Sequence, residues 1–153
     1  MKSSTLRRFI NLWPPFWCNA IRAAYISEDF REITAELKLR FYNRNYVGTH
    51  FGGNLFAMTD PWYMLMLMQN LGRDYFVWDK KATIDFVSPG RGTVTAKFLL
   101  TAEKLEEIRA ATVSGEKYLP EFVVEVFDAQ QHLVARVHKT LYVKKKPPKI
   151  SAE

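Results

Sequence analysis

The chain has 153 residues, of which 48% are hydrophobic and 25% charged, a net charge of +6 and a single cysteine, Cys18. This balance is typical of one globular domain with its own core, and we expect that domain to span residues 1–153. One cysteine excludes an internal disulfide and a cysteine-rich zinc site. The sequence shows no secretory signal, and its longest apolar run, 55–68, is shorter than the ~20 residues that span a bilayer. We therefore expect a cytoplasmic protein without metal or cofactor.

The two ends of the chain are basic. Residues 1–28 are predicted to hold a helical segment and the first strand, and the run "LRRFINLWPPFWCNAIR" mixes cations with aromatic side chains. Such a segment either caps the domain with short helices or lies on a membrane surface. Residues 145–153 are predicted to be a flexible tail. Because no aromatic residues alternate with its lysines, we expect no nucleic-acid partner.

Alternation of apolar and polar residues predicts several antiparallel strands. The pattern is clearest over 33–42, where Ile33 through Phe41 supply the buried face, and it returns over 83–89 and 92–100. Residues 122–143 predict a hairpin that turns near Asp128 to Gln131. His132 and His138 are six residues apart on its polar face. That is roughly 20 Å along a strand, too far to share a metal ion.

Two further segments have helical patterns. "AEKLEEIRAA", 102–111, is predicted to be a surface helix with Thr101 as a partial cap. Gly53 to about Leu71 is apolar on almost every side, which predicts one long helix buried all round. The fold class is therefore α+β, with an antiparallel sheet of five or six strands around one apolar helix.

The segment before that helix carries a motif. Asn45, Gly48, the pair Gly52-Gly53 and Asp60, seven residues after the second glycine, form a spaced set. The set resembles the active-site segment of hotdog-fold acyl-CoA thioesterases of the phenylacetyl-CoA thioesterase-like group, N-x-x-G-x-x-H-G-G followed by an acid. "IDFVSPGRGTVTAKFLL" and the closing hairpin are similar to later parts of that group and to an uncharacterised hotdog family, so that the resemblance covers about 30–144. It implies a hotdog fold.

The residue types suit thioester hydrolysis. Gly52 and Gly53 have no side chains to block a ligand, and N–H groups at a helix start lack partners inside the helix, so they can hold a developing oxyanion. Asp60 is then the general base for water or the nucleophile. Asn45 is a candidate to hold the water or the carboxylate. The resemblance places such a site between two subunits, which implies a homodimer or homotetramer, as exposed strand edges also suggest.

Other interpretations stay open at this stage. Asp60 followed by Pro61 is also a good helix start, with the carboxylate as cap and no chemistry. Two other functions also stay open: an acyl-CoA or acyl-carrier binding protein without turnover, which the shifted His50 and Pro61 favour, and a membrane-surface structural module that uses the basic aromatic amino terminus.

The remaining candidates are substrate contacts. Arg91, between two glycines, is predicted to bind a coenzyme A phosphate with help from Lys80 and Lys81. Gly48 and His50 belong to the matched motif and are predicted to contact substrate. His50 departs from the pattern because Phe51 fills the place before the paired glycines. A partner-subunit hydroxyl found in part of the group has no counterpart, since its place falls near Asp79 and Lys80.

Overall fold

The computed structural model describes residues 1–147. Its helices are α1 (Ser3–Leu12), α2 (Pro14–Trp17), α3 (Gly52–Ala57), α4 (Trp62–Leu71) and α5 (Ala102–Thr112). Its strands are β1 (Ile21–Ile26), β2 (Glu32–Lys38), β3 (Tyr75–Phe86), β4 (Thr93–Leu99), β5 (Lys117–Tyr118), β6 (Glu121–Phe127) and β7 (Leu133–Lys145). The basic tail predicted for 145–153 begins in the last residue of β7, and 148–153 lie outside the described residues.

All strands belong to one antiparallel sheet in the order β1-β2-β4-β6-β7-β3, with the short β5 paired to β7. The predicted hairpin is present as β6 and β7, and Asp128 to Gln131 lie in its turn. Strand β3 is twelve residues long and pairs on one side only, with β7, among the described residues. It therefore leaves an open edge of the sheet.

Strand β2 is shorter than the alternating pattern predicts. It ends at Lys38, and Phe41, expected on the buried face, is 83% exposed. The Asn43 side chain explains the ending, because its amide nitrogen donates to the carbonyls of Lys38 and Asn19 while its oxygen accepts from Arg40 N–H. Backbone groups that would continue the ladder are thus satisfied within a turn.

Helices α3 and α4 pack against the sheet and contribute side chains to the core. Met58, Trp62, Met66 and Leu67 are fully buried, and Tyr63 stacks on Phe122 with ring centroids 4.2 Å apart. The helix is not buried all round as predicted, since Met68 is 45% exposed in this chain. Burial of these apolar and aromatic side chains holds the helical segment against the strands.

The other helices lie at the periphery. The chain's first helical pair, α1 and α2, buries Leu6, Ile10 and Phe16. In α5 the Thr101 hydroxyl accepts from Lys104 N–H at 3.1 Å, as the sequence predicted. No helix in 1–147 is both long and apolar enough to cross a membrane.

Candidate active site

The long helix predicted from Gly53 to Leu71 is broken at 58–61. Pro61 has no N–H, so a continuous helix would leave the carbonyl of Ala57 without its partner. The chain instead tightens, with Asp60 N–H bonded to Ala57 O at 3.2 Å and Thr59 N–H to Phe56 O at 3.0 Å. The break sits where the polar side chains Thr59 and Asp60 interrupt the apolar run.

Asp60 does not cap the second helix. The cap position of α4 is Pro61, and no side-chain hydrogen bond closes the helix start. The interpretation of Asp60 as an N-cap is therefore wrong, because the tight turn moves the helix start one residue on. The Asp60 side chain is 65% exposed in the single chain. Its carboxylate is held out of the helix and available.

Asp60 and Gly53 line the same cleft, a cavity of about 250 Å³. Its other walls are apolar and come from the amino-terminal helix pair and α3: Trp13, Pro15, Phe16, Phe56 and Ala57. The break in the helix turns the Asp60 side chain toward this cleft while Met58 and Thr59 stay buried. A carboxylate at the edge of an apolar cleft is an arrangement that binding sites use.

The backbone amides of Gly52 and Gly53 are free to bind a ligand. At the start of α3, Asn54 and Leu55 donate to Phe51 O, and within 1–147 neither glycine N–H donates a hydrogen bond. Side chains here would collide with neighbours: a Cβ on Gly52 would lie 2.9 Å from Phe86 Cζ, and one on Gly53 2.4 Å from Phe51 Cε1. The absence of side chains therefore lets an aromatic ring pack directly against the backbone at each glycine.

Gly52 also borders a second cleft, of about 320 Å³, together with Asn45, His50 and the loop 86–90. The two glycines thus lie between two clefts, one with Asp60 and one with Asn45. Asn45 shapes the loop: its amide nitrogen donates to Thr49 Oγ1 at 2.8 Å and to His50 O at 3.2 Å, and its oxygen accepts from Thr49 N–H at 2.9 Å. Both of its donors are therefore already used.

Gly48 closes the same loop. Its N–H donates to Asn45 O at 3.1 Å, and its φ is +79°, a backbone conformation that residues other than glycine rarely adopt. Gly48 has open space where a side chain would begin. Gly48 therefore acts in this chain by allowing the backbone to turn within the loop.

His50 ties this loop to the loop after β3. Its Nε2 lies 3.0 Å from Gly92 O, and its backbone N–H donates to Gly90 O at 3.0 Å. Because Gly92 O can only accept, Nε2 carries the proton and Nδ1 is the unprotonated nitrogen. Nδ1 is buried with no hydrogen-bond partner among the described residues. Burial lowers the pKa of His50, which keeps the ring neutral.

The predicted coenzyme contacts lie on different elements of the chain. Arg91 is exposed at the tip of the turn that His50 holds. Lys80 and Lys81 are exposed at a bulge of β3, between Asp79 and Lys81. This bulge is five residues or more before the end of the strand at Phe86, roughly 16 Å by strand rise.

The motif did not reveal a buried charged group beside Asp60. The Lys139 side chain is fully buried, and its Nζ lies 3.0 Å from Asp79 Oδ1 and 3.9 Å from Asp60 Oδ1. Burial raises the pKa of the Asp79 carboxyl, and the positive charge of Lys139 opposes this rise. A sequence signal existed: Lys139 is the one charged residue among the alternating positions from Leu133 to Val143 on the apolar face of β7.

These groups are not arranged for a metal ion. Within 1–147 no three His, Cys, Asp or Glu side chains come together as ligands. The chemistry available at this site therefore rests on a carboxylate, free backbone amides and the buried lysine.

Comparison with known proteins identifies the fold. A protein of Pseudomonas aeruginosa, described as of unknown function and a probable thioesterase, is similar over 95% of this chain and 97% of its own, at 17% identity and a TM-score of 0.82. A thioesterase of Haemophilus influenzae is similar over 98% and 95%, at 14% identity and 0.70. The PaaI protein from the E. coli phenylacetic acid degradation operon is similar over 94% and 92%, at 14% identity and 0.61.

The sheet wrapped around α3 and α4 is thus a hotdog fold, as the motif resemblance predicted. The chain belongs to the family described as domain of unknown function DUF4442, whose model matches residues 2–143. No curated protein sequence matches it significantly.

Proposed function

We propose that the protein hydrolyses the thioester of an acyl-CoA or acyl-carrier substrate. The observation that carries the proposal is that Asp60, exposed and not used as a helix cap, lines one apolar cleft with Gly53 and its free N–H. Hotdog proteins named as thioesterases share the fold over most of the chain, which supports the reaction class without fixing the substrate.

In the proposed reaction the acyl group lies against the apolar wall of the Asp60 cleft, with the thioester carbonyl toward Gly52 and Gly53. Asp60 takes a proton from water as the water oxygen attacks the carbonyl carbon. The negative charge that develops on the carbonyl oxygen is stabilised by the glycine N–H groups, at about 3 kcal/mol per donor. The C–S bond then breaks, the thiolate takes up a proton, and a carboxylic acid and a thiol are released.

The proposed coenzyme contacts follow from charge and position. Arg91 extends into solvent from the turn beside the second cleft, and a guanidinium binds phosphate through paired hydrogen bonds. Lys80 and Lys81 lie on the open edge strand β3. In a dimer that pairs β3 with the partner's β3, Lys80 and Lys81 lie at the interface. We therefore propose that their ammonium groups contact the coenzyme A phosphates of the substrate that the partner subunit binds.

The test uses the wild-type protein with a panel of acyl-CoA thioesters and a thiol reagent that detects free coenzyme A. Asp60→Asn keeps the size of the side chain and removes its basicity. We expect turnover to fall by about 10² or more, with little change in melting temperature because the side chain is exposed. Asp60→Ala is the matched variant without hydrogen-bonding capacity.

Three outcomes are distinct. Turnover in the wild type that is lost in Asp60→Asn supports the mechanism. Turnover that Asp60→Asn leaves unchanged removes Asp60 from it. Saturable acyl-CoA binding in a calorimeter, with no thiol released from any substrate, favours the binding protein without turnover instead.

A further inference from the structure

The break between α3 and α4 leaves carbonyl groups that need hydrogen-bond donors. Phe56 O accepts from Thr59 N–H and from the Thr59 hydroxyl, at 3.0 and 2.8 Å. Met58 O accepts from Trp62 Nε1 at 2.7 Å. The next two carbonyls in the chain, those of Thr59 and Asp60, have no such neighbour in the helical segment. Buried carbonyls without partners are costly, so the fold has to supply donors from elsewhere.

Lys139 supplies both. Its Nζ donates to Asp60 O, and it lies 3.4 Å from Thr59 O. The lysine comes from the middle of β7, 79 residues away along the chain, through a face that is otherwise apolar. Nζ thus meets the two carbonyls as a donor and the Asp79 carboxylate as its counter-ion.

Asp79 neutralises the lysine. A buried ammonium without a counter-ion is expensive, and Asp79 Oδ1 lies 3.0 Å from Nζ. The Asp79 side chain is itself largely buried, at 22% exposure, beside the bulge of β3. The Asp60 carboxylate is the only other acidic group within 4 Å of Nζ in the described part of the chain, with Oδ1 at 3.9 Å.

We propose that Lys139, neutralised by Asp79, is the positioning residue of the site: it fixes the backbone of Asp60 and draws its carboxylate to one place at the mouth of the cleft. The main chain of Asp60 is held by its N–H bond to Ala57 O and by Lys139 at its carbonyl. Without Lys139 the carbonyl loses its donor, and the carboxylate loses the one cation within 4 Å of it in the described residues. The inference rests on the proposed function of Asp60.

A purely structural role makes a different prediction. If Lys139 only satisfies the fold, then replacing the whole ion pair with apolar residues of similar size should restore turnover together with the stability lost to the unpaired Asp79 carboxylate, because buried pairs are often replaced in this way without loss of stability. If Lys139 positions Asp60, the same replacement should restore the stability lost with the unpaired Asp79 carboxylate but not turnover, because no apolar side chain can donate to the Asp60 carbonyl.

The experiment compares Lys139→Met, which leaves Asp79 buried without a partner, with Lys139→Met combined with Asp79→Leu. The matched control is Arg136→Met combined with Glu125→Leu, which removes a 2.6 Å ion pair between the same β7 strand and β6. That pair is partly exposed, so we expect its removal to change little. Melting temperature, kcat and KM are measured for each, and amide hydrogen exchange is followed over residues 58–65.

We expect Lys139→Met to lose thermal stability, and the double variant to recover the part that comes from the unpaired Asp79 carboxylate but not the part that comes from the carbonyls of Thr59 and Asp60. In the double variant kcat should remain about 10²-fold below wild type, the scale of an ångström-level misplacement, with KM within about twofold. Exchange at Asp60 and Leu65 N–H, which bond to Ala57 and Pro61, should quicken by about tenfold or more.

Two results separate this inference from the function on which it rests. Full kcat in the double variant, while Asp60→Asn is inactive, overturns the positioning role and leaves the proposed function intact. Unchanged exchange over 58–65 overturns it even if no substrate is ever turned over, because a positioning residue must hold that backbone.

Discussion

His50 Nε2 donates to Gly92 O across 42 residues of sequence at 3.0 Å, and this bond joins the glycine motif loop to the turn that carries Arg91. The ring is almost fully buried, with 3% of the residue exposed. The two loops that border the second cleft are therefore positioned together. A charged His50 would have to place a second N–H in a region that offers Nδ1 no acceptor among the described residues.

The first prediction concerns the pH dependence of stability. Burial lowers the pKa of His50 below its usual 6.5. As the pH falls below 6.5, His50 therefore binds a proton more readily in the unfolded chain than in the folded chain. The resulting stabilisation is present above 6.5 and is lost as pH falls through the folded pKa. His50→Gln keeps a donor for Gly92 O but does not titrate in this range.

We expect the stability of the wild type to fall relative to His50→Gln as pH is lowered below 6.5, with a slope of at most about 1.4 kcal/mol per pH unit. Urea unfolding at a series of pH values measures this difference. His132→Gln, at an exposed histidine of the β6–β7 turn, controls for the substitution itself. Parallel curves for wild type and His50→Gln would show that the buried ring does not titrate differently in the two states.

The second prediction concerns Arg91. Charge reversal in Arg91→Glu should weaken the binding of acyl-CoA by about tenfold or more, since a charge-assisted hydrogen bond is typically worth about 1.5–3 kcal/mol. Binding of the matching acyl-pantetheine, which lacks the nucleotide phosphates, should change little. Lys97→Glu makes the same charge change on the exposed face of β4 and is the control. Equal losses for the two ligands would mean that Arg91 does not contact the nucleotide.

The third prediction concerns assembly through the open edge of β3. This strand is twelve residues long and pairs only with β7 in the described chain, so alternate backbone N–H groups face outward. Light scattering at micromolar concentration should give at least twice 17.8 kDa. In a dimer joined at β3, hydrogen exchange should be slow for both sets of β3 amides. A monomer that protects only every second amide would remove the two-subunit site.

Much of this architecture follows from local sequence. Alternation over 92–100 places Val94, Ala96, Phe98 and Leu100 in the core, and Thr101 begins α5 as expected. These elements are predictable because their own residues determine them. The spaced glycines and Asp60 are likewise visible in sequence, and they led to the fold that the comparisons identify.

The predictions that failed depend on side-chain contacts that no pattern of apolar and polar residues contains. The end of β2 at Lys38 is set by Asn43 and Asn19, which no alternation pattern contains. The break before Pro61 is tolerable because Lys139, on a strand near the other end of the chain, donates to the freed carbonyls. A lysine on an apolar strand face signals that something unusual is buried, but only the fold shows what it meets.

The last prediction tests the free amide at Gly53. A methyl group there would lie 2.4 Å from Phe51 Cε1, but the Phe51 side chain is more than half exposed and can rotate away. Gly53 lies in α3 with no positive φ, so Gly53→Ala should leave stability unchanged or raise it by up to about 1 kcal/mol. The substrate is different, because a carbonyl oxygen must approach within about 3 Å of the N–H and meets the new methyl first. We therefore expect a melting temperature at or above that of the wild type, together with a drop in kcat/KM of about tenfold or more.

Ala57→Gly, which removes a methyl group from the same cleft wall, is the reciprocal control and should lower stability without blocking the amides. A Gly53→Ala variant with wild-type kcat/KM would show that the carbonyl does not bind at this N–H.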